Sequence, residues 1–168
     1  MKLFFKLRYG KNISLNNSFL GKYFELDISA KEYNLTLGKN VRFKKYSLIS
    51  MRDTATVSIG SDVFFNCNIS ITARNKIVIG NNCMFGENVK LYDHNHAHQN
   101  KNKLFAEQGY NTAPIVIGNN CWIGSNVTIL KNVTIGDNVV IGAHCLIYKN
   151  IPSNSVVTAN ISTEVKIN

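Results

Sequence analysis

Ile117-Gly-Asn-Asn-Cys-Trp, Ile123-Gly-Ser-Asn-Val-Thr, Ile129-Leu-Lys-Asn-Val-Thr, Ile135-Gly-Asp-Asn-Val-Val, Ile141-Gly-Ala-His-Cys-Leu and Ile147-Tyr-Lys-Asn-Ile-Pro follow one another without a break from position 117 to 152. An aliphatic residue leads each hexad, glycine usually follows, and a small or β-branched residue stands four places on. A period of six fits neither the alternation of a single strand nor the face of a helix. It fits a short strand and a turn, repeated. The hexad recurs upstream with leads at Leu37, Phe43 and Ile49, then Ile59, Phe65 and Ile71, then Ile79, Phe85 and Leu91. The lead and the fourth residue after it are expected to point inward. Glycine and asparagine are expected at the turns, where a left-handed backbone costs them least. Eight of the eleven glycines stand directly after a lead, so position in the repeat selects them.

Composition agrees with one all-β domain. The 168 residues are 45% hydrophobic and 17% charged, which excludes a disordered chain. Only two prolines occur, and nothing reads as a linker. The formal charge of +9 would suit nucleic acid, an anionic surface or a polyanionic small molecule. Lysine and arginine are scattered, however, and no nucleic-acid-binding motif is present, so nucleic acid is not an expected partner. The start, Met1-Lys-Leu-Phe-Phe-Lys-Leu-Arg8, is basic but interrupts its apolar run too early for a signal peptide. The expected location is cytoplasmic, with room for loose association with a membrane surface. Cys83, Cys121 and Cys145 fall in the small inward slot of their hexads, which makes them core residues before zinc or disulfide partners.

Spacing between leads marks where the regularity breaks. Four extra residues separate Ile49 from Ile59, two separate Ile71 from Ile79, and twenty separate Leu91 from Ile117. Each insertion follows a third hexad, so all three are expected at one edge of the solenoid, where repeat scaffolds build binding sites. They carry Arg52 and Asp53, then Arg74, Asn75 and Lys76, then a loop over residues 92–114. Three of the four histidines, His94, His96 and His98, lie in that loop. Histidine titrates near neutrality and suits a general base. Three histidines at alternate positions also suit a metal, and that reading stays open at this point.

The pattern resembles the hexapeptide-repeat transferases, whose fold is a left-handed parallel β-helix: a triangular prism with three hexads to each coil of eighteen residues. Left-handed winding departs from the usual crossover rule and is implied by the resemblance alone. The resemblance covers roughly residues 35 to 158, with residues 1–34 as an N-terminal cap or degenerate first coil and 35–168 as the β-helix domain.

The resemblance implies an acetyl-CoA-dependent O-acetyltransferase acting on a sugar or glycan hydroxyl in surface polysaccharide biosynthesis. Acetyl-CoA would be the co-substrate, no metal would be needed, and the assembly would be a homotrimer with active sites between prisms. Asp93-His94-Asn95-His96 matches the family's Asp-His-x-His form, which assigns the base to His94 and places Asp93 and His96 beside it. On the cofactor side the match implies Trp122 near acetyl transfer, Ser125 and Ala143 along the coenzyme A groove, and Tyr148 and Lys149 where relatives carry Thr-Lys. Asn66 aligns with an asparagine near the acceptor. Arg74 stands where galactoside acetyltransferases carry an acceptor-binding aspartate, so an anionic acceptor is expected.

Two further departures occur. Ile141-Gly-Ala-His-Cys145 replaces the usual Ile-Gly-Ala-Gly-Ser, and the Gly-Asn-Pro-Ala-Lys tail has become Ala159-Asn-Ile-Ser-Thr163. Competing readings are an N-acetyltransferase on an amino sugar, a metal enzyme like the γ-class carbonic anhydrases, and a non-enzymatic scaffold.

Overall fold

Residues 10–159 are described by the structure, a computed structural model. They wind as successive coils of three strands. The first coil comprises β1 (Ile13–Ser14), β2 (Phe19–Leu20) and β3 (Glu25–Ile28). The second comprises β4 (Glu32–Leu37), β5 (Arg42–Phe43) and β6 (Leu48–Met51), and the third β7 (Thr54–Ile59), β8 (Phe64–Phe65) and β9 (Ser70–Ala73). The fourth is β10 (Lys76–Ile79), β11 (Met84–Phe85) and β12 (Lys90–Tyr92). A hairpin of β13 (His94–His96) and β14 (Tyr110–Thr112) follows, and then the fifth coil: β15 (Ile115–Ile117), β16 (Trp122–Ile123) and β17 (Thr128–Leu130). β18 (Val133–Ile135), β19 (Val140–Ile141) and β20 (Leu146–Ile147) complete the sixth coil, and β21 (Val156–Val157) begins another.

Every strand outside the hairpin pairs in parallel with its counterpart one coil away. This gives three faces, β1-β4-β7-β10-β15-β18, β2-β5-β8-β11-β16-β19-β21 and β3-β6-β9-β12-β17-β20. The expected β-helix is therefore present. Residues Ile13 to Ile28 already make a coil, while residues 1–9 and most of the altered tail at 159–163 lie outside the described residues.

Register follows the insertions. Val57 pairs with Leu35 and Ile77 with Val57, while Ile115 pairs with Ile77 across the long loop. From there Val133 pairs with Ile115, the eighteen-residue step of an uninterrupted coil. Inserted residues change how far apart in sequence two neighbours are, and leave the stacked columns intact.

The core is the set of inward slots. All nine upstream leads are buried, and so are Cys83, Cys121 and Cys145. The Cys83 thiol is pushed up by its hydrogen bond with Cys121 and then by burial, so it stays neutral and packs as a small apolar group. Phe43, Phe65 and Phe85 stack in one column, with ring centroids 4.2 and 4.6 Å apart. Ile123 and Ile141 continue that column into the later coils. Fully burying side chains of this size contributes about 1.5–3 kcal/mol each.

The glycine slot has a different cause from the expected one. Among the described glycines only Gly10 and Gly109 adopt positive φ, and neither stands in the slot after a lead. A Cβ on Gly80 would lie 2.5 Å from the carbonyl oxygen of Gly118 in the next coil, so close approach excludes side chains there. The left-handed residue comes two places later and is usually asparagine: nine of the fourteen non-glycine residues with positive φ are Asn. Their side chains bond up the corners, as from Asn120 Nδ2 to Asn138 Oδ1 at 2.8 Å and from Asn138 Nδ2 to Asn154 Oδ1 at 3.1 Å.

Candidate active site

The third corner, where each third-face strand ends, carries all three insertions. Asp27 pairs with Arg52, and Asp53 Oδ2 lies 2.7 Å from Arg74 Nη1. The insertions thus form a ridge of alternating charge that climbs one edge of the prism toward the hairpin.

Asp93 stands two residues after Leu91, in the inward position that Met51 and Ala73 occupy on the coils before it. It is fully buried. Its carboxylate accepts the Arg74 amide at 2.9 and 3.1 Å and the Asn75 amide at 2.7 Å, which closes the tight turn of the ridge. His94 Nδ1 lies 3.1 Å from Asp93 Oδ1. A carboxylate can only accept, so the shared proton sits on Nδ1 and Nε2 presents its lone pair.

Tyr110 completes the cluster, and sequence reading did not find it. It pairs across the hairpin with His96, and its ring centroid lies 4.4 Å from that imidazole and 5.4 Å from His94. The Arg74 guanidinium covers the same ring, with Cζ 3.4 Å from the centroid, inside the range of a cation–π contact. Asn75 Nδ2 also reaches Thr112 Oγ1 at 3.4 Å, so the ridge holds the returning strand β14 at two residues, besides Asp93 at the base of the hairpin. His98 is exposed beyond the hairpin strands. The only available signal for Tyr110 was its place opposite a histidine, which requires knowing the register of the hairpin.

The other expected site residues divide by corner. Tyr148 and Lys149 follow β20 on the third corner, two coils beyond the hairpin, with Lys149 Nζ 5.6 Å from the Tyr148 ring. A groove of about 180 Å³ runs beside them. Asn66, Ser125 and Ala143 lie on the second corner, between the second and third faces. Trp122 projects from the second face, 55% exposed, in one column with Met84 and Val140. In a three-sided prism the second face lies opposite the third corner, so one chain does not bring Trp122 to His94.

A second residue missed from sequence is Glu87. It accepts the Ser125 hydroxyl at 2.6 Å and bonds the Asn66 amide, which joins two of the expected residues through a third. The Ser125 hydrogen bond, first among its causes, holds the Glu87 carboxyl below its usual range. Small residues keep this corner open through the later coils: Gly86, Gly124, Gly142, Ser125 and Ala143. Among the described residues no three His, Cys, Asp or Glu side chains converge as metal ligands would.

Residues 114–149 match the family model described as bacterial transferase hexapeptide (six repeats). The chain is a hexapeptide-repeat left-handed β-helix. Its fold is shared with a hexapeptide-repeat acetyltransferase from Vibrio cholerae solved with acetyl coenzyme A, at TM-score 0.56 and 21% identity over 86% of this chain and 67% of that one. An N-acyltransferase from Bacillus cereus, solved with dTDP-4-amino-4,6-dideoxyglucose and coenzyme A, matches at TM-score 0.63 and 19% identity over 90% and 84%. The Caulobacter crescentus protein PerB, solved with coenzyme A and GDP-perosamine, matches at TM-score 0.58 and 16% identity over 94% of this chain and 60% of that one. No curated protein matches the chain by sequence.

Proposed function

We propose that the protein transfers acetyl from acetyl-CoA to a hydroxyl of a sugar or glycan, with His94 as the base. The observation that carries this reading is the Asp93–His94 pair, in which a buried carboxylate fixes the Nδ1 proton and leaves Nε2 to the acceptor. His94 Nε2 takes the hydroxyl proton as the acceptor oxygen attacks the thioester carbonyl. Backbone amides near the hairpin receive the developing oxyanion. As the C–S bond breaks, the imidazolium returns the proton to the thiolate, giving an acetyl ester and free coenzyme A. Asp93 stabilises the imidazolium between these steps. His96, packed on Tyr110 beside His94, borders the same space.

Arg74, on the same corner as His94, is our candidate for contact with the acceptor, and its charge favours an anionic one. The open second corner at Ser125 and Ala143, with Trp122 on the adjoining face, fits an extended pantetheine arm, and Lys149 fits a phosphate. Asn66 shares that corner. The two sets meet only if the third corner of one copy faces the second corner of the next, and a closed threefold ring supplies such a contact. This reading makes the protein a cytoplasmic homotrimer serving surface polysaccharide assembly.

The amino-sugar complexes of two proteins with this fold favour a second reading, N-acetylation of an aminosugar. The test is free thiol released from acetyl-CoA, measured against a panel of sugars and aminosugars for wild type and His94→Ala. A loss of about 10² or more in the variant is expected of a general base. Full activity of the variant with every acceptor overturns the assignment. Treatment of the product with hydroxylamine separates a labile ester from a stable amide.

A further inference from the structure

The first three coils carry a cluster that none of the chemistry above uses. Tyr23 and Tyr46 occupy the left-handed position of the second corner, at φ of 60° and 61°. On later coils the same position holds Asn68, Asn88, Asn126 and His144. A bulky side chain is unfavourable in that conformation and asparagine is not, so closing the turn does not explain the tyrosines. Their rings stack at 4.9 Å and 6°, and both stay more than half exposed, at 58% and 51%. Lys22 Nζ lies 4.8 Å from the Tyr23 ring and Lys45 Nζ 5.5 Å from the Tyr46 ring.

Around the corner, Phe19, Arg42 and Phe64 stand in one outward column of the second face. With Asn17, Asn40 and Lys44 they line an open groove of about 460 Å³. Lys44 connects the two aromatic surfaces, since it neighbours Lys45 and its Nζ lies 5.8 Å from the Phe64 ring. Four cations, Lys22, Arg42, Lys44 and Lys45, thus border two aromatic platforms. The nearby carboxylates are partly engaged: Asp62 accepts from Asn40, and Glu87 bonds Asn66 and Ser125.

We propose that these coils bind an acidic saccharide chain, at a site separate from the Asp93–His94 pair. Aromatic faces take the apolar face of a pyranose, and the flanking ammonium and guanidinium groups take its carboxylates. Two such platforms in series suit a ligand that repeats both features from one sugar to the next. A nucleotide offers one base and one charged end, and so would use only one platform. The site does not depend on acyl transfer, because it is read by binding alone.

The test is calorimetric titration of the full chain, without acetyl-CoA, using hexagalacturonate, maltohexaose, tripolyphosphate and a nucleoside diphosphate. The expected result is binding of hexagalacturonate at least tenfold tighter than any of the other three. The double variant Tyr23→Asn/Tyr46→Asn should weaken it at least tenfold with Tm unchanged or raised, since Asn is the residue the later coils place there. Arg42→Gln/Lys44→Gln should weaken it similarly, and both variants should retain thiol release from acetyl-CoA with a small acceptor.

Absence of hexagalacturonate binding overturns the proposal, as does equal affinity for tripolyphosphate or tighter binding of the nucleotide. Undiminished binding by the asparagine variant also overturns it. So does a change of oligomeric state in that variant by sedimentation, which would make the surface a contact between copies of the chain.

Discussion

Asp93 and His94 are adjacent in sequence, yet their side chains meet, with Oδ1 and Nδ1 3.1 Å apart. Successive side chains of a strand point to opposite faces, so this contact requires the bend that the chain makes at Asp93. The buried carboxylate does two jobs there. It satisfies the amides of Arg74 and Asn75, and it orients the imidazole. Asp93→Asn separates them. Its carbonyl oxygen can still accept from the two amides, but its NH₂ would face Nδ1 and drive the proton to Nε2. The expected outcome is a folded protein whose kcat falls about 10²–10⁴-fold, by analogy with tautomer reversal in other Asp–His pairs. Thiol release measures the rate, and ¹⁵N shifts of the ring report the tautomer.

Asp93→Ala removes the acceptor as well, leaving two amides unpaired at a buried turn. Unpaired buried donors cost about 1–3 kcal/mol each. Chemical denaturation should therefore show Asp93→Ala clearly less stable than Asp93→Asn. Equal stability would mean that the turn does not depend on the carboxylate.

Tyr110 connects the ridge to His94, the proposed base, since Arg74 covers its ring while His94 and His96 pack against it. These contacts are made by the ring and not by the hydroxyl. Tyr110→Phe should then keep kcat within about twofold, while Tyr110→Leu should lower it about tenfold, as expected when a catalytic group loses its positioning. Hydrogen exchange at His94–His96 should quicken in the leucine variant only.

The prism was legible in the sequence because burial recurs at fixed slots: the leads and the residues four places on are the core. The ridge followed from the arithmetic of insertions, while the loop and its motif singled out His94 as the candidate base, whose contact with Asp93 only the structure displays. Tyr110 and Glu87 were not legible, because their roles depend on pairings that spacing alone does not display. Tyr110 needs the hairpin register, and Glu87 needs the alignment of coils three, four and five that sets it between Asn66 and Ser125. The glycines were found in the right slot for the wrong reason, because a repeat reveals where a residue recurs but not which neighbour excludes its side chain.

That exclusion has a measurable consequence at Gly80, whose added Cβ would meet the Gly118 carbonyl oxygen at 2.5 Å. Backbone cannot yield as a flexible side chain can. Gly80→Ala should destabilise by about 1–3 kcal/mol, the usual range for overpacking. Gly109→Ala provides the contrast: nothing lies within 4 Å of its Cβ, but its φ is +74°, so any loss there reflects backbone strain confined to the loop. Urea titration should show the Gly80 variant losing stability globally, with the Gly109 variant altered mainly in hydrogen exchange at the hairpin.

Glu87 gives the second corner a pH dependence whose sign follows from its depressed carboxyl. The Ser125 hydroxyl bonds the charged form, so the folded protein holds the proton less tightly than the unfolded chain does. The resulting stabilisation is fully present above the ordinary carboxylate range and is lost as pH falls through the folded-state value. Glu87→Gln should thus be less stable than wild type at pH 7, and the gap should narrow at an acid pH below the ordinary carboxylate range. Ser125→Ala should shrink the gap at pH 7, because it removes the first cause of the shift. Denaturation midpoints of the three proteins at both pH values decide the matter, and a gap that widens on acidification would assign the Asn66–Glu87–Ser125 ladder no electrostatic role in holding the coils together.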